Sequence, residues 1–338
     1  MTRQISKHFA LSLTCLGLAL GASRSMAQSP AGLRHPHRWS LQASASASHQ
    51  VHTPPPNSPT YTFSLFDFPQ SPNTAASGIN NKLEMVGAYG PTVPLFEGGN
   101  GFLLQVGEKK GVISESYQTV NVPGGTGQFA NGINDAGQIV GEYTDASGVF
   151  RSYLWNKGTF TPVGYPGAFG TNASGINRSE VIVGGWWLSD LFTHGFELSG
   201  GVYTSFDFPG ASQTFAYGIS NSGDIVGYYD DAEDVTHGFV LSGGTYTSID
   251  PPGSVETYAV GINDAGDIVG AYCTTAQCTQ DQNTIQGFLL SKGIYTTISV
   301  PGSTSTIIEG INDSGVIAGS YGNCDTGAGL AHAFIANP

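Results

Sequence analysis

Charge is what this chain has least of. Asp, Glu, Lys and Arg make up 11% of its 338 residues, against a usual quarter or so, and Lys and Arg together number 12. A nucleic-acid-binding surface neutralises phosphates with a basic face, so this shortage argues against nucleic acid as a partner. The scarcity of Glu and Lys also argues against a coiled coil or helical bundle. Long apolar runs are equally scarce. The one candidate, Phe9 to Ala22, falls short of the roughly 20 residues that span a bilayer, and no later stretch approaches that length, so no membrane span is expected. Against these absences stand 39% apolar and 11% aromatic residues, enough to build a core, and 48 glycines, about twice the ordinary share.

Arg3, Lys7 and His8 give a basic start ahead of the apolar run, and Ser25-Met26-Ala27 offers small residues before a cut after Ala27. That is the pattern of a secretory signal peptide over residues 1–27, and it implies an extracellular or periplasmic address. Cys15 lies inside the run with apolar residues beyond it, which argues against a lipid anchor. Residues 28–59 read as a disordered linker, with Ser-Ala alternation and then Pro54-Pro55-Pro56 and Pro59. Its His35, His37, His49 and His52 are irregularly spaced, without Cys or Asp companions, and read as solvated rather than metal-binding. The folded region is expected over 60–338, where 7 Lys and Arg face 25 Asp and Glu, a net charge of −18.

That region is a repeat. Ser77-Gly78-Ile79-Asn80 recurs as Asn131-Gly132-Ile133-Asn134, Ser174-Gly175-Ile176-Asn177, Tyr217-Gly218-Ile219-Ser220, Val260-Gly261-Ile262-Asn263 and Glu309-Gly310-Ile311-Asn312. The glycines are 54, 43, 43, 43 and 49 residues apart. Nine residues before each stands a proline (Pro69, Pro123, Pro166, Pro209, Pro252, Pro301), and nine after stands another glycine (Gly87, Gly141, Gly184, Gly227, Gly270, Gly319).

Each unit reads as four short strands. In the fourth these are Thr214 to Ile219, Asp224 to Tyr229, Gly238 to Leu241 and Tyr246 to Asp250, separated by Asn- and Gly-rich turns. The strands are apolar on both faces, as in Gly287-Phe288-Leu289-Leu290, so both faces must be covered, and only neighbouring sheets are there to cover them. The expected fold is therefore all-β, a six-bladed β-propeller of four-stranded antiparallel blades; a β-solenoid, with shorter coils and capped ends, is the alternative. The Ala- and Gly-rich strand carrying Gly-Ile-Asn suits the crowded axis. With that framing the last unit has three strands, and the N-terminal strand from Thr60 to Phe68 completes it.

Gly-Ile-Asn-x-x-Gly-x-Ile-Val-Gly followed by His194-Gly195-Phe196, His237-Gly238-Phe239 or His332-Ala333-Phe334 resembles the HAF repeats of bacterial extracellular proteins, over roughly residues 60 to 338. The resemblance implies secretion and a propeller-like repeat, and no particular activity. Asn100, Arg151 and Gln286 replace the His in the other units, which argues for a hydrogen-bonding role at a strand start rather than catalysis.

No nucleophile elbow, His-Glu-x-x-His, phosphate-cradling loop or EF-hand loop is found. The Asn-Asp-x-Gly segments between strands are hairpin turns. Cys273, Cys278 and Cys324 remain after the leader, and Cys273–Cys278 is the preferred disulfide, a loop staple.

The gaps between the second and third strands vary (14, 11, 11, 11, 17 and 14 residues) over a fixed scaffold, the usual behaviour of a binding face. At that face Tyr89, Tyr143, Trp186, Tyr229, Tyr272 and Tyr321 follow each second glycine by two residues; they suit stacking on sugars or packing between blades. Asp230, Asp231, Glu233 and Asp234 form the densest acidic run, a calcium site or a solvated loop. The residues just before Gly-Ile (Ser77, Asn131, Ser174, Tyr217, Val260, Glu309) differ from unit to unit where the rest is uniform. The sequence thus points to a secreted, monomeric binding or structural surface module for a glycan, a cation or a protein. The competing class is a carbohydrate-active hydrolase or lyase with carboxylates at the channel mouth.

Overall fold

The computed structural model describes residues 61–91, 98–109, 112–189, 192–275, 285–322 and 331–338. They form six four-stranded antiparallel sheets and no helix, and hence no helix long and apolar enough to cross a membrane. After β1 (Thr62–Phe66), blade 1 comprises β2 (Asn73–Ile79), β3 (Glu84–Gly90), β4 (Asn100–Lys109) and β5 (Val112–Thr119). Blade 2 comprises β6 (Thr126–Ile133), β7 (Ile139–Thr144), β8 (Phe150–Asn156) and β9 (Thr159–Val163). Blade 3 comprises β10 (Gly170–Ile176), β11 (Ile182–Trp187), β12 (Thr193–Ser199) and β13 (Val202–Phe206). Blade 4 comprises β14 (Gln213–Ile219), β15 (Ile225–Asp230), β16 (Thr236–Ser242) and β17 (Thr245–Ile249). Blade 5 comprises β18 (Glu256–Ile262), β19 (Ile268–Cys273), β20 (Ile285–Ser291) and β21 (Ile294–Ile298). Blade 6 comprises β22 (Ser305–Ile311), β23 (Ile317–Gly322) and β24 (Ala331–Asn337), and its fourth strand is β1. The fold is a six-bladed β-propeller latched by its N-terminal strand, as the repeat implies. The β4–β5 hairpin of blade 1 is longer than its counterparts in the other blades.

The repeat motif is explained by how the blades meet. A Cβ on Gly132 would lie 2.4 Å from the carbonyl oxygen of Ser174, and one on Gly218 would lie 2.6 Å from that of Val260. The first strand of each blade thus rests flat against the backbone of the next, and any side chain at this glycine would separate them. One residue before each of these glycines the ladder to the second strand slips, a β-bulge between Ala216 and Gly218 in blade 4 and at the matching place in every blade. The bulged residues are Ser77, Asn131, Ser174, Tyr217, Val260 and Glu309.

The Asn of Gly-Ile-Asn works twice. Its Oδ1 accepts from the backbone of its own turn, as Asn134 does from Ala136 and Gln138. Its Nδ2 reaches the next blade: Asn80 donates to the carbonyl of Asn134, Asn134 to that of Asn177, Asn177 to that of Ser220, and Asn263 to that of Asn312. Ser220 caps its own turn through Oγ and has no amide to pass the belt on to Asn263. The aromatic of the third strand (Phe102, Tyr153, Phe196, Phe239, Phe288, Phe334) is fully buried and forms the core between sheets.

Candidate axial binding site

The six aromatics singled out at the variable-loop face are engaged in packing. Tyr89 stacks on Phe68 with centroids 3.5 Å apart, Trp186 on Tyr165 at 4.2 Å, and Tyr229 on Phe208 at 3.6 Å. Each partner immediately precedes the proline of an interblade connection, so the rings seat a blade on the chain that leads to it. Their polar atoms are bound as well: Tyr89 to Thr119, Tyr229 to Ser248, Tyr272 to Gln286 and Thr297, and Trp186 Nε1 donates to Ser205. Tyr143 tilts against Tyr153, and Tyr321 against His332 and Phe334.

The His of the repeat has the hydrogen-bonding role expected of it. His194, His237 and His332 pair through Nδ1 with Asp207, Asp250 and Asp67 at 3.0–3.1 Å. Each Asp stands two residues before a connection proline, so the pair ties the third strand to the end of the fourth. His332–Asp67 does so across the latch. Where Asn100 replaces the His, Asn121 replaces the Asp, and the two bond at 2.6 Å.

The acidic run of blade 4 does not converge. Asp230 is buried and accepts from Gln213 and Thr236. Asp231 caps its own turn by accepting from Glu233 and Val235, and it faces His237 Nε2. Glu233 and Asp234 are exposed. Among the described residues no three His, Cys, Asp or Glu side chains gather as a metal site. Cys273 is disulfide-bonded, while Cys278 and Cys324 lie outside the described residues.

The convergence of chemistry is on the axis, at the bulged residues. Tyr217 of blade 4 lies within electrostatic reach of Glu309 of blade 6 and Glu142 of blade 2, and of Tyr228 and Tyr258. Only a group on the common axis is near blades on both sides of its own. Burial, followed by these neighbours, raises the Tyr217 hydroxyl well above its ordinary value. Its ring packs at 4.8 Å from Phe215 and 5.8 Å from Tyr228, and Tyr228 meets Tyr258 edge-on at 5.4 Å.

The opposite wall is polar. Asn172 Nδ2 donates to Glu142 Oε2, Ser174 Oγ donates to Asn172, and Asn131 donates to the carbonyl of Ala173. Burial pushes the Glu142 carboxyl up to about 7 and the Glu309 carboxyl well above its ordinary range. Neither has a Lys or Arg within ion-pair distance among the described residues. Ser77, Asn131 and Tyr217 keep partial exposure despite their place deep in the ring.

The two ends of the axis differ. At the turn end, Asn81, Asp135, Arg178, Asn221, Asp264 and Asp313 head the six hairpins. Asn81 bonds both Asp135 and Asp313, Asn221 bonds Asp264, and the Arg178 guanidinium lies 4.0 Å from Asp135 and 3.8 Å from Asp264. Arg178 of blade 3 thus reaches blades 2 and 5, across the mouth. This girdle spans the turn end of the axis.

The diversity of the residues before Gly-Ile was the sequence signal for this site. Glu142 was missed. It follows the second glycine by one residue, at a position that also varies: Ala88, Glu142, Gly185, Tyr228, Ala271, Ser320.

No family model matches the chain, and no curated protein is similar to it. Among solved structures it resembles the SapL1 lectin in complex with alpha methyl fucoside, at 14% identity and TM-score 0.49 over 78% of this chain and 93% of that one. It resembles Trypanosoma rangeli sialidase in complex with sialic acid at 9% identity and TM-score 0.50, over 83% of this chain and 59% of that one. TolB from Acinetobacter baumannii matches at 11% identity and TM-score 0.46, over 64% and 51%. At these identities the likeness concerns the fold alone.

Proposed function

We propose that this protein is an exported, monomeric binding propeller of HAF-repeat type whose ligand, a carbohydrate, sits in the axial site. The observation that carries the reading is the pair of buried carboxyls, Glu142 and Glu309, both within electrostatic reach of Tyr217 and with no Lys or Arg at ion-pair distance among the described residues. Burying an unpaired carboxyl weakens a fold, so its presence calls for a use outside the fold. Aromatic faces on one wall and amides, hydroxyls and carboxyls on the other are what a sugar needs: rings for its apolar face, and polar groups that fix its hydroxyls.

Binding is favoured over hydrolysis by the direction of the carboxyl environments. A glycosidase pair needs one carboxyl held protonated and its partner ionised, in environments that push them apart. Here burial pushes both the same way.

A glycan array probed with the secreted protein and with Tyr217→Ala tests the proposal. Selective binding by the wild type that Tyr217→Ala loses, with the fold intact by circular dichroism, is the expected result. A blank array, or binding indifferent to Tyr217, removes the axial sugar site.

A further inference from the structure

Blade 3 carries an apolar patch where its strands end at the variable-loop face. Phe169 stands just before β10 and donates its backbone N–H to the carbonyl of Trp187, which places it beside Leu188. Trp187 pairs in turn with Thr193 of β12, so Phe192 stands on the other side of Leu188. Phe169, Leu188 and Phe192 are 54%, 42% and 39% exposed. The remaining exposed large apolar side chains among the described residues, Leu65, Val202, Val255 and Ile294, stand singly. A lone exposed Leu or Val is ordinary on a protein surface. Three adjoining ones across a strand end make an apolar surface of the kind that partners cover.

Carboxylates flank the patch on the same face. Asp207 follows the fourth strand of blade 3 and keeps 47% of its side chain exposed beside His194. In blade 4, Glu233 and Asp234 are exposed in the β15–β16 loop, and Asp250 follows β17. Among the described residues the one Lys or Arg at this face is Arg151, and it is paired with Asp145 at 3.0 Å. Lys82, Lys157, Arg178 and Lys292 stand in turns at the opposite end. The rim of the patch is therefore negative, which repels an anionic lipid surface or an acidic chain and attracts a basic one.

We propose that the variable-loop face of blades 3 and 4 docks a cationic polypeptide. An apolar side chain of the partner sits against Phe169, Leu188 and Phe192, and its Lys or Arg side chains meet the flanking carboxylates. An apolar centre within a charged rim is the usual anatomy of an interface: the centre supplies affinity, and the rim steers the partner in. The proposal does not rest on the sugar-binding reading above.

Fluorescence anisotropy with a labelled peptide of alternating Lys and Phe tests this on the full-length protein. The control peptides carry Ser for each Phe or Glu for each Lys. Phe169→Ser, combined with Leu188→Ser, removes the apolar centre, and Ser is what blade 4 carries at the position of Phe169, as Ser212. Glu233→Lys reverses a charge on the rim. Glu115→Lys makes the same change in net charge on blade 1, at another exposed residue. Melting curves report on the fold of each variant. The Lys-Phe peptide is expected to bind in preference to both controls, and the double Ser variant should weaken it about tenfold or more. Glu233→Lys should weaken it about threefold or more, and Glu115→Lys less than about twofold. No binding, equal binding of the Lys-Ser peptide, or equal losses from the two Lys variants overturn the proposal, the last two by reducing it to attraction of net charge. Sedimentation velocity of the protein alone closes the remaining route: a dimer that the double Ser variant dissociates would make a second copy the occupant and overturn the cationic partner.

Discussion

The side-chain amide of Asn312 donates to the carbonyl oxygen of Asn80 at 3.2 Å, so the last blade is tied to the first by a bond other than the strand latch. The same contact recurs around the ring and is interrupted once, where Ser220 stands in place of Asn. The seam between blades 4 and 5 is thus the one without a belt bond.

Ser220→Asn should restore it. The position accepts Asn in every other blade, so the gain expected is that of one buried hydrogen bond, about 1 kcal/mol, or about 2–4 °C in melting temperature. Asn134→Ser should lose a similar amount. Urea melts of the two variants beside the wild type decide it, and a destabilised Ser220→Asn would show that the belt does not add to stability.

Stability should fall as pH rises. The Glu142 carboxyl titrates near 7 in the fold against an ordinary 4.5, so between these values the native state holds a proton that the unfolded chain has released. The protein is therefore most stable with respect to this group below about pH 4.5 and loses that advantage through about pH 7, on the order of 3 kcal/mol in all. Glu309 acts in the same direction. Glu142→Gln removes its own share of the slope, and its excess stability over the wild type should grow from pH 5 to pH 8. Parallel stability profiles for the two proteins would contradict the assignment.

Removing residues 61–69 takes away β1 and Asp67 and leaves blade 6 with a bare outer edge. A drop of 10 °C or more in melting temperature is a reasonable order of magnitude for losing a whole strand (roughly, by the scaling of stability with buried surface). Removing residues 28–59 should leave the melting temperature within about 2 °C. Equal melting of both truncations would argue that the ring holds without its latch.

Trp186→Ala together with Tyr229→Ala should unfold or strongly destabilise the protein, since both rings are stacked on interblade connections. Several kcal/mol is expected for two packed aromatics. An unchanged melt with lost ligand binding would instead return these rings to the role of a binding platform.

The fold was legible because the motif encodes contacts between copies. Gly218 and its equivalents are glycine because the next blade's backbone lies within 2.6 Å of a would-be Cβ, and Asn134 and its equivalents are Asn because they bond two blades at once. The latch was legible from the unpaired strand count alone.

The site was half legible. Recurrence of an aromatic at Tyr89, Tyr229 and their equivalents reflects a recurring packing task, and uniformity of that kind marks structure. Diversity at Tyr217, Glu309 and Asn131 marked the axis. The bond from Asn172 of the next blade to Glu142 and the reach of Arg178 across the mouth depend on how the blades meet, which no single unit encodes.

The latch also sets how the ring responds to tension. Thr62 pairs with Asn337, Phe63 with Ala336, and so on to Phe66 with Ala333, so both flanks of the domain leave from the same end of one antiparallel pair. A pull across those flanks loads the Thr62–Asn337 rung first and then each rung in turn, peeling the pair as a zipper rather than shearing all five rungs together. The closed ring is, along the line joining its own ends, built to open one residue pair at a time.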